Sequence, residues 1–225
     1  RELFQSEFGG HGVGWVDLAN PIKRNSRRTV TQETSGTREF SVVKKPFDRN
    51  RQGIGERYYN VSSGASVTTN LATIYNRFQP HAKQFDVARL FFRAENGATI
   101  TATVGAGTPQ SRSFDGSRQV QMYELKAKGS KINYKFSNVG EGFTGFGMAL
   151  ESLQGVILDC MSVRGSSGLT LQGIPQSTLA DFAKLRPYDL IIVHYGLNVA
   201  VSGNPKNIIQ NYARNMGKVV AHLRQ

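Results

Sequence analysis

Asp189-Leu-Ile-Ile-Val-His194 is an unbroken apolar run that leads into a Gly196-Leu-Asn198 loop, and its reading decides the expected fold. A run without polar alternation is the pattern of a strand covered on both faces, as in parallel sheets. Gly155-Val-Ile-Leu-Asp-Cys160 has the same character and is followed by a second loop, Arg164-Gly-Ser-Ser-Gly168. Between the two runs, Ser177 stands where a helix cap would. Leu179, Phe182 and Leu185 follow at helical spacing, and Pro187 stops them. Beyond the second run, Pro205 opens another helix. Ile208, Ile209, Tyr212, Met216, Val219, Val220 and Leu223 give it one apolar face. The order β-loop-α-β-loop-α is the repeating unit of α/β folds. The expectation is therefore part of a flavodoxin-like, doubly wound parallel sheet. Its further strands are expected in residues 13–18, outside the 225 residues, or in another chain.

Residues 28–153 change character. Short alternating segments recur with turn signals between them. Glu95-Asn-Gly97 predicts a hairpin between residues 85–92 and 99–104, because Asn-Gly tolerates positive φ. Lys128-Gly-Ser130 predicts a second hairpin between 118–126 and 131–136. Seven or eight short strands indicate a β-sandwich or jelly roll, which the family resemblance given below implies to be an insertion of carbohydrate-binding type. Residues 1–27 begin with an amphipathic helix end that places Leu3, Phe4 and Phe8 on one side. The passage Phe8-Gly-Gly-His-Gly-Val-Gly-Trp15 follows, and Asn20-Pro21 turns the chain. Its glycines imply conformations or close approaches that a side chain would forbid. The expected organisation is 1–27 as the start of the α/β domain, 28–153 as the insertion, and 154–225 as the continuation.

The chain carries a formal net charge of +12 with a pI of about 10.0. Residues 22–57 hold ten Lys/Arg against four Asp/Glu, half of the excess. Such a segment attracts polyanions or serves as a solvated surface. The aromatics within it, Phe40, Phe47, Tyr58 and Tyr59, fit strand positions as well as base stacking, so no nucleic-acid partner is expected. No apolar run reaches the roughly 18 residues of a membrane-spanning helix. Cys160 is the only cysteine, which excludes an internal disulfide, and it reads as a buried strand thiol. No metal-ligand spacing, dinucleotide fingerprint or phosphate loop occurs, so no cofactor is expected.

Loops at the carboxyl ends of strands are where open α/β sheets bind ligands. Gly165 and Asn198 stand just past the two apolar runs. A glycine N–H and an Asn amide suit a developing oxyanion; equally, Gly ends strands and Asn makes turns. His11, in the Gly-rich passage, and His194, at the end of the second run, are possible pocket residues or locally packed ones. Ser166 and Ser167 lack Gly-x-Ser-x-Gly spacing and read as polar loop residues.

Asp189-Leu-Ile-Ile-Val-His-Tyr-Gly-Leu-Asn-Val-Ala200 resembles the third conserved block of SGNH (GDSL-type) hydrolases, a strand ending in Gly-x-Asn. Residues 155–165 resemble their second block, which leads to an oxyanion glycine. The Gly-rich passage is similar to that of cell-wall O-acetylesterases of this superfamily, which also carry an inserted β-sandwich. The resemblance implies a serine esterase of an O-acyl group, by analogy acetyl, on carbohydrate or cell-wall glycan. It implies Gly165 and Asn198 as oxyanion donors and a periplasmic or extracellular location. It also implies a nucleophilic Ser and an Asp/His pair. The 225 residues contain no Gly-Asp-Ser and no Asp-x-x-His. These groups are therefore expected before residue 1 and after residue 225, and the chain alone is expected to be inactive. The second reading is a non-catalytic glycan-binding protein, with Tyr58, Tyr59, Tyr75, Phe78 and Tyr123 as candidate stacking platforms. Neither reading fixes an oligomeric state.

Overall fold

The computed structural model describes residues 1–19, 29–71, 78–161, 163–197, 199 and 205–224. It forms two compact units, Arg1–Glu39 with Tyr59–Met161, and Phe40–Tyr58 with Ser162–Gln225.

The first unit begins with helix α1 (Glu2–Phe8) and strand β1 (Gly12–Asp17). Strands β2 (Thr31–Ser41), β3 (Arg57–Asn70), β4 (Phe85–Arg93), β5 (Ala98–Val104), β6 (Gln110–Phe114), β7 (Gln121–Gly129), β8 (Lys131–Ser137) and β9 (Thr144–Glu151) follow. They make one curled nine-stranded sheet in the order β6-β5-β8-β3-β9-β4-β7, with β1 added to β9 and β2 to β3. The pairings of β9 with β1, β3 and β4, of β8 with β3 and β5, of β4 with β7 and of β5 with β6 are antiparallel.

Alternation explains the strands with one covered face. On β8, Ile132, Tyr134 and Phe136 are buried, while Lys131, Lys135 and Ser137 face water. β9 is different, because all of its residues are buried. Its glycines make room for bulk: a Cβ on Gly147 would lie 2.4 Å from the Trp15 ring. In the core, Phe92 stacks on Phe143 at 5.5 Å and meets Phe114 edge-on at 4.9 Å.

The two predicted hairpins are not hairpins. β4 and β5 flank the Asn96-Gly97 turn, yet β4 pairs with β7 and β9, and β5 with β6 and β8. β7 ends at Gly129 and β8 begins at Lys131, and they do not pair either. Gly97 does adopt φ +80°. The turn chemistry reversed the chain, while the apolar faces chose the partners. β5–β6 is a hairpin of sequence neighbours, with Ala98 opposite Phe114 and Ala102 opposite Gln110.

The expected doubly wound parallel sheet is overturned. The mostly antiparallel sheet carries the fold, with β9, β4, β8 and β5 all pairing antiparallel with their neighbours. Residues 155–160 and 190–196 belong to no strand. An apolar run supplies burial energy only where neighbours also take its backbone N–H and C=O groups. Residues 156 and 159 find other partners. Val156 N–H donates to Gly9 O at 3.0 Å, and Asp159 Oδ1 accepts Trp15 N–H at 2.7 Å. Leu190 and Ile192 are 75% and 79% exposed. Cys160, expected to be buried, is exposed for the same reason.

In the second unit the helices are α2 (Gln176–Leu185) and α3 (Lys206–Leu223). Pro175, not Ser177, occupies the N-cap of α2. Leu171, Ile174 and Val219 form the buried centre of this unit, with Leu179, Tyr195, Met216 and Leu223 against it. Among the described residues no helix is long and apolar enough to cross a membrane.

Candidate functional site

The turn at residues 163–166 is built on one glycine. Ser166 N–H donates to Val163 O at 3.1 Å, closing a four-residue turn with Gly165 third and at φ +86°. That position in a type II turn needs positive φ, which glycine adopts without strain. A side chain there would find space, since a Cβ would meet only Val43 Cγ1 at 3.9 Å. Gly165 is exposed, and its N–H makes no hydrogen bond with the described residues.

Beneath the turn lies a carboxylate that no sequence pattern singled out. Glu56 is 0% exposed and adopts φ +57°, a left-handed conformation uncommon outside glycine. Its Oε1 accepts the Ser166 hydroxyl at 2.9 Å and also the Thr170 hydroxyl. Its Oε2 accepts the Tyr195 hydroxyl at 3.2 Å. Ser166 Oγ in turn accepts Gly168 N–H at 3.1 Å. A buried carboxyl group needs such partners, because its oxygens are cut off from water. The Glu56 backbone is equally committed, its N–H donating to Gly53 O at 3.0 Å and its carbonyl accepting Val42 N–H at 3.2 Å. One residue thus ties the loop of residues 42–56 to the loop of residues 163–170.

Other side chains close the frame. Gln52 Nε2 donates to Thr170 O at 2.9 Å. Tyr212 of α3 donates its hydroxyl to Ser167 O at 2.7 Å. Burial pushes the Tyr212 phenol above its ordinary value. The Tyr195 ring lies so close to Gly168 that a Cβ there would be 2.6 Å from it. The result is an exposed backbone donor, not taken by any of the described residues, on a turn whose neighbours are fixed by buried hydrogen bonds. Chemically, such a donor can take an oxyanion, a carbonyl oxygen or a phosphate oxygen.

The other predicted residues fall as follows. Asn198 lies outside the described residues. His194 is exposed, in the segment 190–196 outside any strand. His11 belongs to the first unit, where its Nε2 sits 3.1 Å from Asp86 Oδ2 and its N–H donates to Ser152 Oγ at 3.0 Å. Of the aromatic platforms, Tyr58, Tyr59 and Tyr123 are buried, Phe78 is 69% exposed, and Tyr75 lies outside the described residues. Tyr58 stacks on Phe40 at 4.9 Å, with the Arg51 guanidinium 4.5 Å from its ring centre. That arrangement uses part of the basic segment in packing. Among the described residues, no group of three or more His, Cys, Asp or Glu is placed to hold a metal.

No protein-family model matches the chain, and no curated protein sequence matches it either. Solved structures do. One is a peptidoglycan O-acetylesterase, with a TM-score of 0.70 and 20% identity over 100% of this chain. The chain spans 57% of the length of that solved protein. At this identity the likeness is one of fold. Two carbohydrate-binding modules are more distant. One comes from the Cellvibrio mixtus lichenase 5A in complex with cellotriose, with a TM-score of 0.34, 10% identity and coverage of 56% of this chain and 98% of that one. The other, of family 35 from Clostridium thermocellum, has a TM-score of 0.37, 11% identity and coverage of 61% and 98%.

Proposed function

We propose that this chain is part of an O-acylesterase of the SGNH kind, acting on an acyl ester, by analogy acetyl, of a carbohydrate or cell-wall glycan. The observation that carries the reading is the Gly165 N–H, which none of the described residues takes, on its anchored turn. The whole-chain fold likeness to a peptidoglycan O-acetylesterase supports it. In this reading a serine attacks the acyl carbonyl, and a His/Asp pair manages its proton. Gly165 N–H and the Asn198 amide receive the oxygen as it gains charge. Such a donor is worth about 3–4 kcal/mol in the transition state. The serine and the His/Asp pair are proposed to lie outside the 225 residues, in a protein working in the periplasm or outside the cell.

The test is direct. The full-length protein is expected to hydrolyse p-nitrophenyl acetate and to react covalently with a fluorophosphonate probe, whereas residues 1–225 alone do neither. Full-length protein that neither turns over nor labels refutes the esterase reading. Retention of an acylated glycan without turnover would support the second reading, glycan binding. That reading draws on the hydroxyl row of Thr99 with Ser113 and Thr101 with Ser111, each pair 3.1 Å apart across β5 and β6. Such hydroxyls can exchange hydrogen bonds with sugar hydroxyls.

A further inference from the structure

We infer that Glu56 is a positioning residue: its buried carboxylate, acting through Ser166, holds the Val163–Ser166 turn in the form that presents the Gly165 N–H outward. The inference rests on the esterase reading for its chemistry, and on the hydrogen bonds around Glu56 for its mechanics.

The turn has two accessible forms. A type II turn places its third residue at φ near +80°, and a type I turn places it near −90°. Interconversion turns over the central peptide, which here carries the Gly165 N–H. Glycine populates both regions readily, so Gly165 does not hold the turn by itself. The next residue, Ser166, is what the surroundings grip. Its hydroxyl gives its proton to Glu56 Oε1 at 2.9 Å and takes the Gly168 N–H at 3.1 Å, while its own N–H closes the turn onto Val163 O. Ser166 is buried, unlike Arg164 and Gly165 before it. The exposed half of the turn is therefore oriented by its buried half, and the buried half is oriented by Glu56.

Glu56 is itself fixed from several sides. Tyr195 and Thr170 hold its carboxylate, and Gly53 O and Val42 N–H hold its backbone. A residue kept at φ +57° against its intrinsic preference is one whose surroundings over-determine it. A carboxylate serving only solubility would face water; this one is closed off and spends its acceptor capacity on three hydroxyls.

The test uses the full-length protein with Glu56→Ala, Glu56→Gln and Ser166→Ala, and Val219→Ala as a control for stability. Val219 is buried among Leu171 and Ile174, on α3 rather than on the turn. Glu56→Ala is expected to lower kcat on p-nitrophenyl acetate about 100-fold, the loss that follows roughly 1 Å of misplacement at a reacting centre, with KM nearly unchanged. Glu56→Gln keeps one oxygen for Ser166 and restores most of kcat. Ser166→Ala lowers kcat in the same direction by about tenfold, which preserves the test if Glu56→Ala does not fold. Val219→Ala lowers the melting temperature and leaves kcat unchanged. A second readout needs no turnover. The amide signal of Gly165 in a ¹H–¹⁵N spectrum is single in the parent and in Glu56→Gln, and broadened or doubled in Ser166→Ala. If the Gly165 signal is unaltered in the folded variants, Glu56 does not position the turn, whatever the enzyme does. If the signal changes and kcat does not, the link to catalysis is refuted. Full-length parent protein without esterase activity refutes the underlying reading separately.

Discussion

Gly14→Ala tests whether the glycines of residues 9–14 exist for close approach or for conformation alone. Gly14 adopts φ +63°, so any side chain costs about 1–2 kcal/mol in the left-handed region. The new Cβ would also lie 2.5 Å from Asp159 Oδ1 and 2.7 Å from the Leu158 carbonyl oxygen. The carbonyl is backbone and cannot swing aside, so the segment of residues 158–159 must retreat. Retreat breaks the 2.7 Å bond from Trp15 N–H to Asp159 Oδ1, a hydrogen bond to a charged group worth about 1.5–3 kcal/mol. Together the expected loss is about 3–5 kcal/mol. Gly64→Ala is the matched control, with φ +86° and nothing within 4 Å of its Cβ, so it should lose only the conformational part, about 1–2 kcal/mol. Urea unfolding followed by tryptophan fluorescence measures both. Trp15 is the chain's single tryptophan and is 1% exposed in the same unit as both glycines. In a double-mutant cycle, Asp159→Ala should add little once Gly14→Ala is present. Equal losses for Gly14→Ala and Gly64→Ala, or full additivity with Asp159→Ala, would refute the close-approach argument.

Two further expectations concern single phenols. Burial raises the Tyr134 hydroxyl far above its ordinary value of 10.0, and the neighbouring Tyr123 adds to the rise. The folded state therefore keeps a proton that the unfolded state releases above about pH 10. The stability this contributes is complete below pH 10 and is lost as pH rises beyond it. In Tyr134→Phe that loss should be smaller, measured by urea midpoints from pH 8 to 11. Tyr212→Phe removes the donor to Ser167 O and should lower stability by about 0.5–1.5 kcal/mol, read as a shifted urea midpoint at unchanged m-value.

The β character of residues 28–153 was legible because alternation reports a half-buried face directly, as Ile132, Tyr134 and Phe136 on β8 demonstrate. Strand partners were not legible. Asn96-Gly97 specifies how the chain turns but says nothing about which edge β5 will join. The apolar runs at 155–160 and 189–194 failed differently. Their composition describes what a covered parallel strand contains, while parallel pairing depends on neighbours that composition does not supply. At the candidate site, Gly165 was singled out from the chemistry of a glycine N–H beyond an apolar run, and its role there is a proposal. Glu56 was invisible because, in sequence, it is one acid among the ten basic residues of 22–57. Only tertiary structure distinguishes a solvated carboxylate from one enclosed by Ser166, Thr170 and Tyr195.

The placement of β9 has a consequence for how this unit comes into being. Gly12 on β1 faces Glu151 on β9, and β3 and β4 lean on the same strand. Contacts of such long sequence separation are slow to form, because chain entropy is lost before they reward it. During synthesis β5 and β6 can meet early as neighbours, but β1 has no edge to join until β9 has left the ribosome. Val13, Trp15 and Val16 must therefore wait, unsheltered by their native partner, through most of the unit's translation. That interval is when this unit is most open to chaperone capture or aggregation.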